Sequence, residues 1–172
     1  MKNKKLIPVN FAIATISDTR TKETDKSGLT LEKKIINSGH NVLYRTIIPD
    51  DKDKIFSFLK EKTKINDLNS IITTGGTGLT GRDSTPEAFK MIIEKEIPGF
   101  GEIFRMISFK KISTSAIQSR ALAGIVKNKF IFALPGSPSA CADAWDQILK
   151  FQFDSNFKPC NLVDLFPRIM EK

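Results

Sequence analysis

The sequence predicts an α/β protein, a three-layer α/β/α domain with a mostly parallel, mixed sheet. Short apolar segments alternate with longer amphipathic ones, which is typical of strands connected by helices. Two of the apolar segments run into a glycine-containing turn, a Ser or Thr and a proline, a pattern that marks a strand leading into a capped helix. Two further segments joined by Lys127-Asn128-Lys129 predict a hairpin, and so one antiparallel strand in the sheet.

The N-terminal third already shows this alternation. A buried strand is predicted from Pro8 to Ser17, where the residues alternate and then become continuously apolar. After a polar loop, an amphipathic helix is expected from Gly28 to Ser38, with Gly39 as its stop. The next predicted elements are a strand at 41–48, a helix at about 51–64 capped by Asp50 or Asp51, and a strand at 70–74.

Residues 71–87 are the most informative stretch of the chain, with a short strand, four glycines and a helix start. Glycine accepts positive φ and lets the backbone approach a ligand closely. Ser84 and Glu87 are expected to form a capping box, and Thr85-Pro86 is a second N-cap pattern. Because free N–H groups and the helix dipole favour anions, the loop is predicted to bind phosphate. Asp83, at the rim, suits a metal ion.

The following segment is predicted to contain two helices. The first is expected from Thr85 to Glu96, where Pro98-Gly99 breaks it. The second, at 101–108, carries Glu102 and Arg105 three residues apart on one face. That pair is expected to form a solvated salt bridge, unless Arg105 lies close enough to the phosphate to bind it. A short helical turn starting at 113–115 and two strands, at 121–126 and 130–134, complete the segment.

The second predicted strand-to-helix junction lies in the C-terminal part of the chain. The strand at 130–134 runs into Pro135-Gly136-Ser137-Pro138, with Ser137 as N-cap and Pro138 at the first helical position. Both junctions open at the carboxyl edge of the sheet, so they predict one bipartite pocket with two anion-binding helix ends. Residues 1–172 are interpreted as one domain, and 150–172 as an irregular apolar tail that wraps its own domain or contacts a neighbouring subunit.

The composition favours a globular protein without a membrane span. Hydrophobic residues make up 40% and charged residues 27% of the 172, and no apolar run approaches the length that crosses a bilayer. The basic N-terminus leads into a strand rather than a signal peptide, which predicts a cytoplasmic protein. The net charge of +8 is spread among acidic residues, and Tyr and Trp occur once each, so small phosphorylated ligands are favoured over nucleic acid.

The cysteines and the histidine offer no obvious catalytic set. Cys141 and Cys160 are far apart in sequence and are predicted to be buried or half-buried free thiols. His40, the only histidine, follows Gly39 at a helix-to-strand junction and is predicted to lie on the surface. A Ser/His/Asp or Cys/His nucleophile set cannot be built from one histidine in that position.

Gly76-x-Gly78-x-x-Gly81 matches the dinucleotide-binding fingerprint, but its context does not. In that fold the third glycine already lies in the helix, whereas here Pro86 places the helix start several residues later. No strand ends in an acidic residue about twenty positions downstream. A P-loop is excluded because no Gly-Lys-Ser/Thr follows the glycines.

Several motifs in one order resemble the molybdopterin-binding MoaB/MogA family of molybdenum cofactor biosynthesis proteins. The most specific is Thr73-Thr74-Gly75-Gly76-Thr77-Gly78 followed by Arg82-Asp83-x-Thr85-Pro86-Glu87. The others are Ile16-Ser17-Asp18, Ile48-Pro49-Asp50, Pro98-Gly99-Phe100-Gly101-Glu102, Ser119-Arg120 and Leu134-Pro135-Gly136-Ser137. The loop Gly78-Leu79-Thr80-Gly81 and the later Ala144-Trp145 and Pro159-Cys160-Asn161 are similar to the MoaB branch. The resemblance implies a MogA-like fold.

The resemblance also implies an activity, the transfer of AMP from Mg-ATP to the terminal phosphate of molybdopterin with release of pyrophosphate. Asp50 and Asp83 match the family's acidic positions, as catalytic residues and Mg²⁺ ligands. The residues expected to bind substrate phosphates are Thr74, Gly75, Gly76, Thr77, Gly78, Ser84, Glu102, Arg105, Ser119 and Arg120. Those expected on the nucleotide side are Ser17, Asp18, Pro135, Gly136 and Ser137.

Two other functions remain open at this point. One is a non-catalytic molybdopterin carrier or scaffold in the same pathway. The other is a nucleotide-processing enzyme resembling the CinA-type domain, which shares the glycine loop but normally sits in a longer chain. For assembly, the family implies a homotrimer, or a homohexamer in the MoaB branch, and a handover of product to the molybdate-inserting protein.

Overall fold

The computed structural model describes residues 5–171, and within them one mixed sheet of six strands. The strands are β1 (Asn10–Ile16), β2 (Asn41–Ile48), β3 (Ser70–Thr74), β4 (Lys95–Glu96), β5 (Leu122–Val126) and β6 (Lys129–Leu134). Their order in the sheet is β2-β1-β3-β6-β5-β4. The first four in that order run parallel, β5 runs antiparallel to β6, and β4 antiparallel to β5. The predicted hairpin is therefore confirmed.

Helices cover both faces of the sheet. They are α1 (Lys26–Asn37), α2 (Lys52–Lys62), α3 (Thr85–Lys90), α4 (Pro98–Ile112), α5 (Pro138–Ala144) and α6 (Lys150–Gln152). A π-helical segment, Trp145–Leu149, joins the last two, and short 3-10 segments lie at Ser113–Gln118 and Val163–Leu165.

Strand β1 shows how the two halves of the core are built. Its side chains alternate, so that Phe11 and Ile13 join the apolar cluster under α1, α4 and α5. Ala12 and Ala14 join the cluster under α2 and α3 on the opposite face. Burial on both faces accounts for the continuous apolar run in this segment, and it confirms the predicted three-layer α/β/α fold.

The aspartates before α1 and α2 set where these helices begin. Helix α1 starts at Lys26, two residues earlier than predicted, because the Asp25 carboxylate accepts a hydrogen bond from Gly28 N at 2.8 Å. Asp51 caps α2 by accepting from Lys54 N at 2.9 Å. Since Asp51 is the cap, the neighbouring Asp50 is free for another role.

The prediction of one helix from Thr85 to Glu96 is wrong. Helix α3 ends at Lys90, and the backbone of the next residues pairs with the edge of the sheet: Glu94 N donates to Ile125 O at 2.9 Å. The resulting strand β4 has two residues, which is too short to show a pattern in sequence. Pro98 begins α4 instead of only breaking a helix, because a proline is tolerated in the first turn.

Two predictions about single side chains also fail. His40 was expected on the surface, but it is buried: its Nδ1 accepts a hydrogen bond from Val9 N at 3.2 Å and its ring packs on Phe11 and Trp145. Cys141 is buried as expected, whereas Cys160 is exposed. Both are free thiols.

The C-terminal segment packs on its own domain. Phe153 and Val163 are buried in the cluster under α1, α4 and α5, and the Phe166 ring contacts that of Phe130. Phe151 and Leu165 remain exposed. Between residues 5 and 171, no helix is long and apolar enough to cross a membrane.

Candidate functional site

The loops that follow β1, β3 and β6 enclose a cavity of about 590 Å³ at the carboxyl edge of the sheet. This is where ligands bind in open α/β folds. The walls include α4 and the 3-10 segment that follows it. The residues of the predicted site that line the cavity are Ser17, Thr74, Gly75, Gly76, Thr77, Gly78, Asp83, Ser119, Pro135, Gly136 and Ser137.

The backbone conformation at the end of β3 requires glycine at two positions. Gly75 has φ +107°, and a Cβ there would lie 2.3 Å from Ile16 O. Gly76 has φ +65°, and its Cβ would lie 2.4 Å from Thr85 Oγ1 and 2.9 Å from Asp50 Oδ2. Only glycine combines this conformation with such close approach, so the loop backbone itself faces the cavity.

The predicted capping box at the start of α3 does not form. Ser84 occupies the N-cap position, but its side chain makes no capping hydrogen bond. Its Oγ donates to Asp50 Oδ1 at 3.2 Å, and its backbone N lies 3.3 Å from the same oxygen. Glu87 pairs with Arg120 instead of turning back to the helix start. Both side chains therefore make tertiary contacts instead of capping the helix.

Asp83 lines the cavity and is held ionised. Its Oδ2 accepts hydrogen bonds from Thr80 Oγ1 at 2.6 Å and Thr80 N at 2.9 Å. Burial opposes ionisation, but these bonds, the Gly78 amide and the charge of Arg120 together lower the pKa of Asp83. At neutral pH the cavity thus carries a fixed negative charge beside the glycine loop.

Asp50 lies directly behind Gly76, in surroundings that disfavour its charged form. Burial raises the pKa of this carboxyl, and Asp83 and Asp18 raise it further, although the hydrogen bonds from Ser84 act in the opposite direction. Among residues 5–171 no group of three or more His, Cys, Asp or Glu side chains forms a metal site. Two carboxylates close to the glycine loop present oxygen atoms of the kind that Mg²⁺ prefers, and this ion often takes its remaining ligands from substrate phosphates and water.

Asp18 and Ser17 organise the loop after β1 and connect it to the glycine loop. Asp18 Oδ1 accepts from Asp50 N at 3.3 Å, and its other oxygen pairs with Arg82. Ser17 Oγ accepts from the backbone N of Arg20 at 3.2 Å. Asp18 does not itself line the cavity, so its contacts tie the two loops together across the cavity rim.

The second predicted junction, between β6 and α5, forms the neighbouring part of the cavity wall. Ser137 caps α5 by accepting from Ala140 N at 3.1 Å, as predicted. A Cβ on Gly136 would lie 3.3 Å from Gly75 Cα, so the two junctions touch through their glycines. The sequence prediction that both junctions border one pocket is confirmed.

Three charged residues predicted to bind phosphate lie outside the cavity wall. Arg120 donates Nε to Gly78 O at 2.7 Å and Nη2 to Asp83 O at 2.8 Å. Arg105 donates Nη1 to Ala121 O at 3.1 Å, and in the described chain it makes no ion pair with the exposed Glu102. Phosphate binding by these three side chains remains a prediction.

Sequence reasoning missed several residues that line the cavity. Arg20 is the most consequential, because it brings a positive charge to the wall; its Nη1 also donates to Thr24 O at 3.1 Å. Its place in the loop after β1, two residues beyond Asp18, was the available signal. The other unassigned polar lining residues are Thr15, Thr19, Ser27, Ser108 and Gln118, and the apolar ones include Phe104 and Ile112.

A buried carboxylate supports this side of the cavity from beneath. Asp25 Oδ1 accepts from Thr15 Oγ1 at 2.9 Å, and Asp25 Oδ2 pairs with Arg45 at 3.0 Å. Thr15 and Ser27, which both line the cavity, are thereby anchored to the start of α1. No sequence motif revealed this, since the partners are 10 and 20 positions from Asp25.

The profile of a family described as "Probable molybdopterin binding domain" matches residues 12–154, which include the whole cavity wall. The chain belongs to this molybdopterin-binding family.

Individual members of the family agree with that assignment. The chain is 41% identical over 157 residues to "Molybdenum cofactor biosynthesis protein B" of Escherichia coli K12, covering 91% of this chain and 92% of that protein. It is 42% identical over 149 residues to the "Probable molybdopterin adenylyltransferase" of Methanocaldococcus jannaschii, covering 83% and 88% of the two chains. A crystal structure of a molybdenum cofactor biosynthesis protein B superposes with a TM-score of 0.83 at 42% identity, over 86% of this chain and 92% of the other. The predicted MoaB/MogA resemblance and fold are confirmed.

Proposed function

We propose that this protein acts in molybdenum cofactor biosynthesis, binding molybdopterin and transferring AMP from Mg-ATP to its terminal phosphate. The observation that carries the proposal is one cavity of about 590 Å³ that is lined by the glycine loop, by the ionised Asp83 and by the capped start of α5. The name of the Methanocaldococcus jannaschii relative supports the same activity.

The glycine loop supplies the binding of phosphate. Gly75 and Gly76, in left-handed conformations, bring the main chain to the cavity wall without intervening side chains. Backbone N–H groups at a strand-to-helix turn bind phosphate oxygens through hydrogen bonds and partial positive charge. Arg20, in the loop after β1, also lines the cavity and adds a full positive charge for a polyphosphate.

Asp83 and Asp50 are the residues that would hold Mg²⁺. The raised pKa of Asp50 reflects burial and repulsion from two other carboxylates. A bound cation would offset this repulsion. Bound Mg²⁺ would neutralise charge on the phosphates that react. The two carboxylates come from different loops but lie near each other, because Asp50 contacts Ser84 and Asp83 precedes Ser84 in sequence.

The reaction needs little covalent chemistry from the protein. A terminal phosphate oxygen of molybdopterin forms a bond to the α-phosphorus of ATP, and the bond from that phosphorus to the bridging oxygen of pyrophosphate breaks. Positioning and electrostatic stabilisation account for most catalysis of this kind. The chain supplies both, through the loop amides, the carboxylates and Ser119 at the cavity wall.

Incubation of the purified protein with molybdopterin, ATP and Mg²⁺ tests the proposal. We expect adenylylated pterin and one pyrophosphate per turnover, detected by mass spectrometry and a coupled phosphate assay. Asp83→Asn should lower kcat about 100-fold or more, because it removes the charge that faces the metal and phosphates. Absence of adenylylated product at high enzyme concentration would eliminate the activity.

A carrier role is the second candidate, and one observation favours it. The Escherichia coli relative is named for the pathway and not for adenylyl transfer. A carrier would bind molybdopterin in the same cavity without consuming ATP. Pterin binding by calorimetry together with no product in the assay above would establish it.

The remaining parts of the proposal concern the cell and the assembly. The protein works in the cytoplasm and passes its product to the molybdate-inserting protein. It assembles as a homotrimer or homohexamer, and the outer face of α4 supports self-association, because Ile103, Met106 and Phe109 follow one another at a spacing of three and are about half exposed. Light scattering that gives a monomeric mass would contradict the assembly.

A further inference from the structure

We infer that Arg120 is a positioning residue, whose guanidinium fixes the backbone of the glycine loop so that the Asp83 carboxylate faces the cavity. The inference rests on the proposed function, in which Asp83 holds the cation beside the reacting phosphates. It differs from the expectation that Arg120 binds phosphate directly. The difference follows from where its nitrogen atoms point.

Four contacts join Arg120 to the loop and to the helix behind it. Its backbone N donates to Thr77 O at 3.2 Å, and Nε donates to Gly78 O at 2.7 Å. Its Nη2 donates to Asp83 O at 2.8 Å, while Nη1 pairs with Glu87 in α3. One side chain thus holds both ends of the segment 78–83 and ties it to a regular element.

The position of Arg120 relative to the cavity supports the same conclusion. The preceding residue, Ser119, lines the cavity of about 590 Å³, but Arg120 does not. Arg120 lies in a shallower recess of about 370 Å³ on the other side of the loop, together with Thr80, Ser84 and Glu87. Asp83 borders both spaces, so the loop that contains Asp83 separates the guanidinium from the cavity.

Arginine is the residue type that can make these contacts together. The guanidinium is a rigid planar fork with donors in several directions, whereas a lysine presents one compact ammonium on a flexible stem. A lysine at this position could not reach Gly78 O, Asp83 O and Glu87 in the same geometry. The charge of Arg120 also contributes to the lowered pKa of Asp83, so the same residue favours the ionised form of the carboxylate that it positions.

The decisive experiment separates positioning from phosphate contact in Arg120→Lys. The Mg²⁺ dependence of adenylyl transfer is measured at saturating ATP and molybdopterin, and the Kd of ATP is measured by calorimetry in EDTA. We expect the Mg²⁺ concentration for half-maximal rate to rise about tenfold or more and kcat to fall by a similar factor, as is typical when a supporting residue behind a metal ligand is changed. The Kd of metal-free ATP should change less than about twofold, because no phosphate contact is lost.

Arg168→Lys is the matched control. Arg168 is also an ion-paired arginine, bonded to Glu171 in the exposed C-terminal segment far from the loop in sequence, and this variant should match the unaltered protein in every measurement. Two results would overturn the inference. One is weaker binding of ATP in EDTA with an unchanged Mg²⁺ dependence, which indicates direct phosphate contact. The other is a lowered Tm with unchanged Mg²⁺ dependence and kcat, which indicates a purely structural role.

A second variant covers the case in which Arg120→Lys does not fold. Glu87→Gln leaves the three carbonyl contacts of Arg120 in place and weakens the fourth, so the Mg²⁺ requirement should rise in the same direction by a smaller factor. An unchanged requirement in this variant would count against the inference. If the unaltered protein forms no adenylylated pterin, the proposed function fails by itself, and the Mg²⁺ dependence of ATP binding in the same variants then decides the positioning role.

Discussion

Two strand-to-helix junctions in this protein share one sequence pattern and use it in different ways. Between β6 and α5, Ser137 is an ordinary N-cap whose Oγ accepts from Ala140 N at 3.1 Å. Between β3 and α3, Ser84 holds the equivalent position, yet its Oγ donates to Asp50. The same residue type stabilises a helix at one junction and a site carboxylate at the other.

The glycines of the two junctions differ in the same sense. Gly75 and Gly76 have positive φ, and a Cβ at either position would lie closer than 3 Å to a backbone or side-chain oxygen. Gly136 lies outside the left-handed region, and a Cβ there would meet its nearest neighbour at 3.3 Å. The β3–α3 junction thus uses a backbone conformation that glycine adopts freely and that other residues adopt only with strain. Both junctions line the cavity, but the β3–α3 junction depends on glycine and contacts Asp50, whereas the β6–α5 junction is closed by its own helix cap.

The largest expected effect comes from placing a side chain at Gly76, which has a left-handed backbone conformation. In Gly76→Ala the new methyl group collides with Thr85 Oγ1 and Asp50 Oδ2. We expect a loss of about 1–3 kcal/mol in the free energy of unfolding, and a fall of about 100-fold in kcat/KM, since displacement of the loop by about 1 Å misplaces the substrate. Urea denaturation and steady-state kinetics measure the two effects.

Gly81→Ala is the matched control within the same loop. A Cβ at Gly81 meets no atom within 4 Å, and its φ lies outside the left-handed region. The variant should stay within about 0.5 kcal/mol and twofold of the unaltered protein. If Gly76→Ala behaves like Gly81→Ala, the left-handed conformation at Gly76 has no functional importance and the contrast between the junctions disappears.

An intermediate effect is expected from the two serines. Ser137→Ala removes a real N-cap and should lower the free energy of unfolding by about 1 kcal/mol. Ser84→Ala removes no cap from α3 and should cost less than about half of that. It also removes a hydrogen-bond donor to Asp50. Ser84→Ala should therefore lower kcat although it changes the free energy of unfolding little. Equal stability losses in the two variants would show that Ser84 caps its helix in solution.

The sequence was sufficient for features that depend on neighbouring residues. Gly39 as the stop of α1, Ser137 as the cap of α5 and the hairpin around Lys127 each involve partners within a few positions. The alternation of apolar and amphipathic segments was enough for the layered fold, because a helix or strand must bury its apolar side. The glycine loop was recognisable because few other residues tolerate its backbone.

The features that the sequence did not show depend on contacts made across the fold. Glu87 was assigned to a local capping box, but its partner Arg120 lies 33 positions away. His40 became a buried residue because Val9 N and the Trp145 ring come together around it. In each case a tertiary contact replaced the local one that the residue type favours. At the β3–α3 junction, Ser84 and Glu87 both show this replacement.

The smallest expected effect, and the most direct test of the comparison, is the pH dependence caused by Asp50. The folded protein holds this carboxyl with a pKa above its ordinary value of 3.8, chiefly through burial. Between pH 3.8 and the raised pKa the folded state binds more protons than the unfolded state. The free energy of unfolding therefore falls as the pH rises through that window, and the loss persists at neutral pH.

Asp50→Asn keeps a hydrogen-bond acceptor for Ser84 and removes this loss of stability. We expect it to raise the free energy of unfolding at pH 7 only slightly, because solvent screens a half-buried carboxyl, while lowering kcat; the gain should shrink as the pH falls toward the ordinary carboxyl pKa. The exposed Asp67→Asn should change neither quantity. If Asp50→Asn instead destabilises the protein at pH 7, the carboxylate contributes to the fold, and the β3–α3 junction does not give up stability for binding.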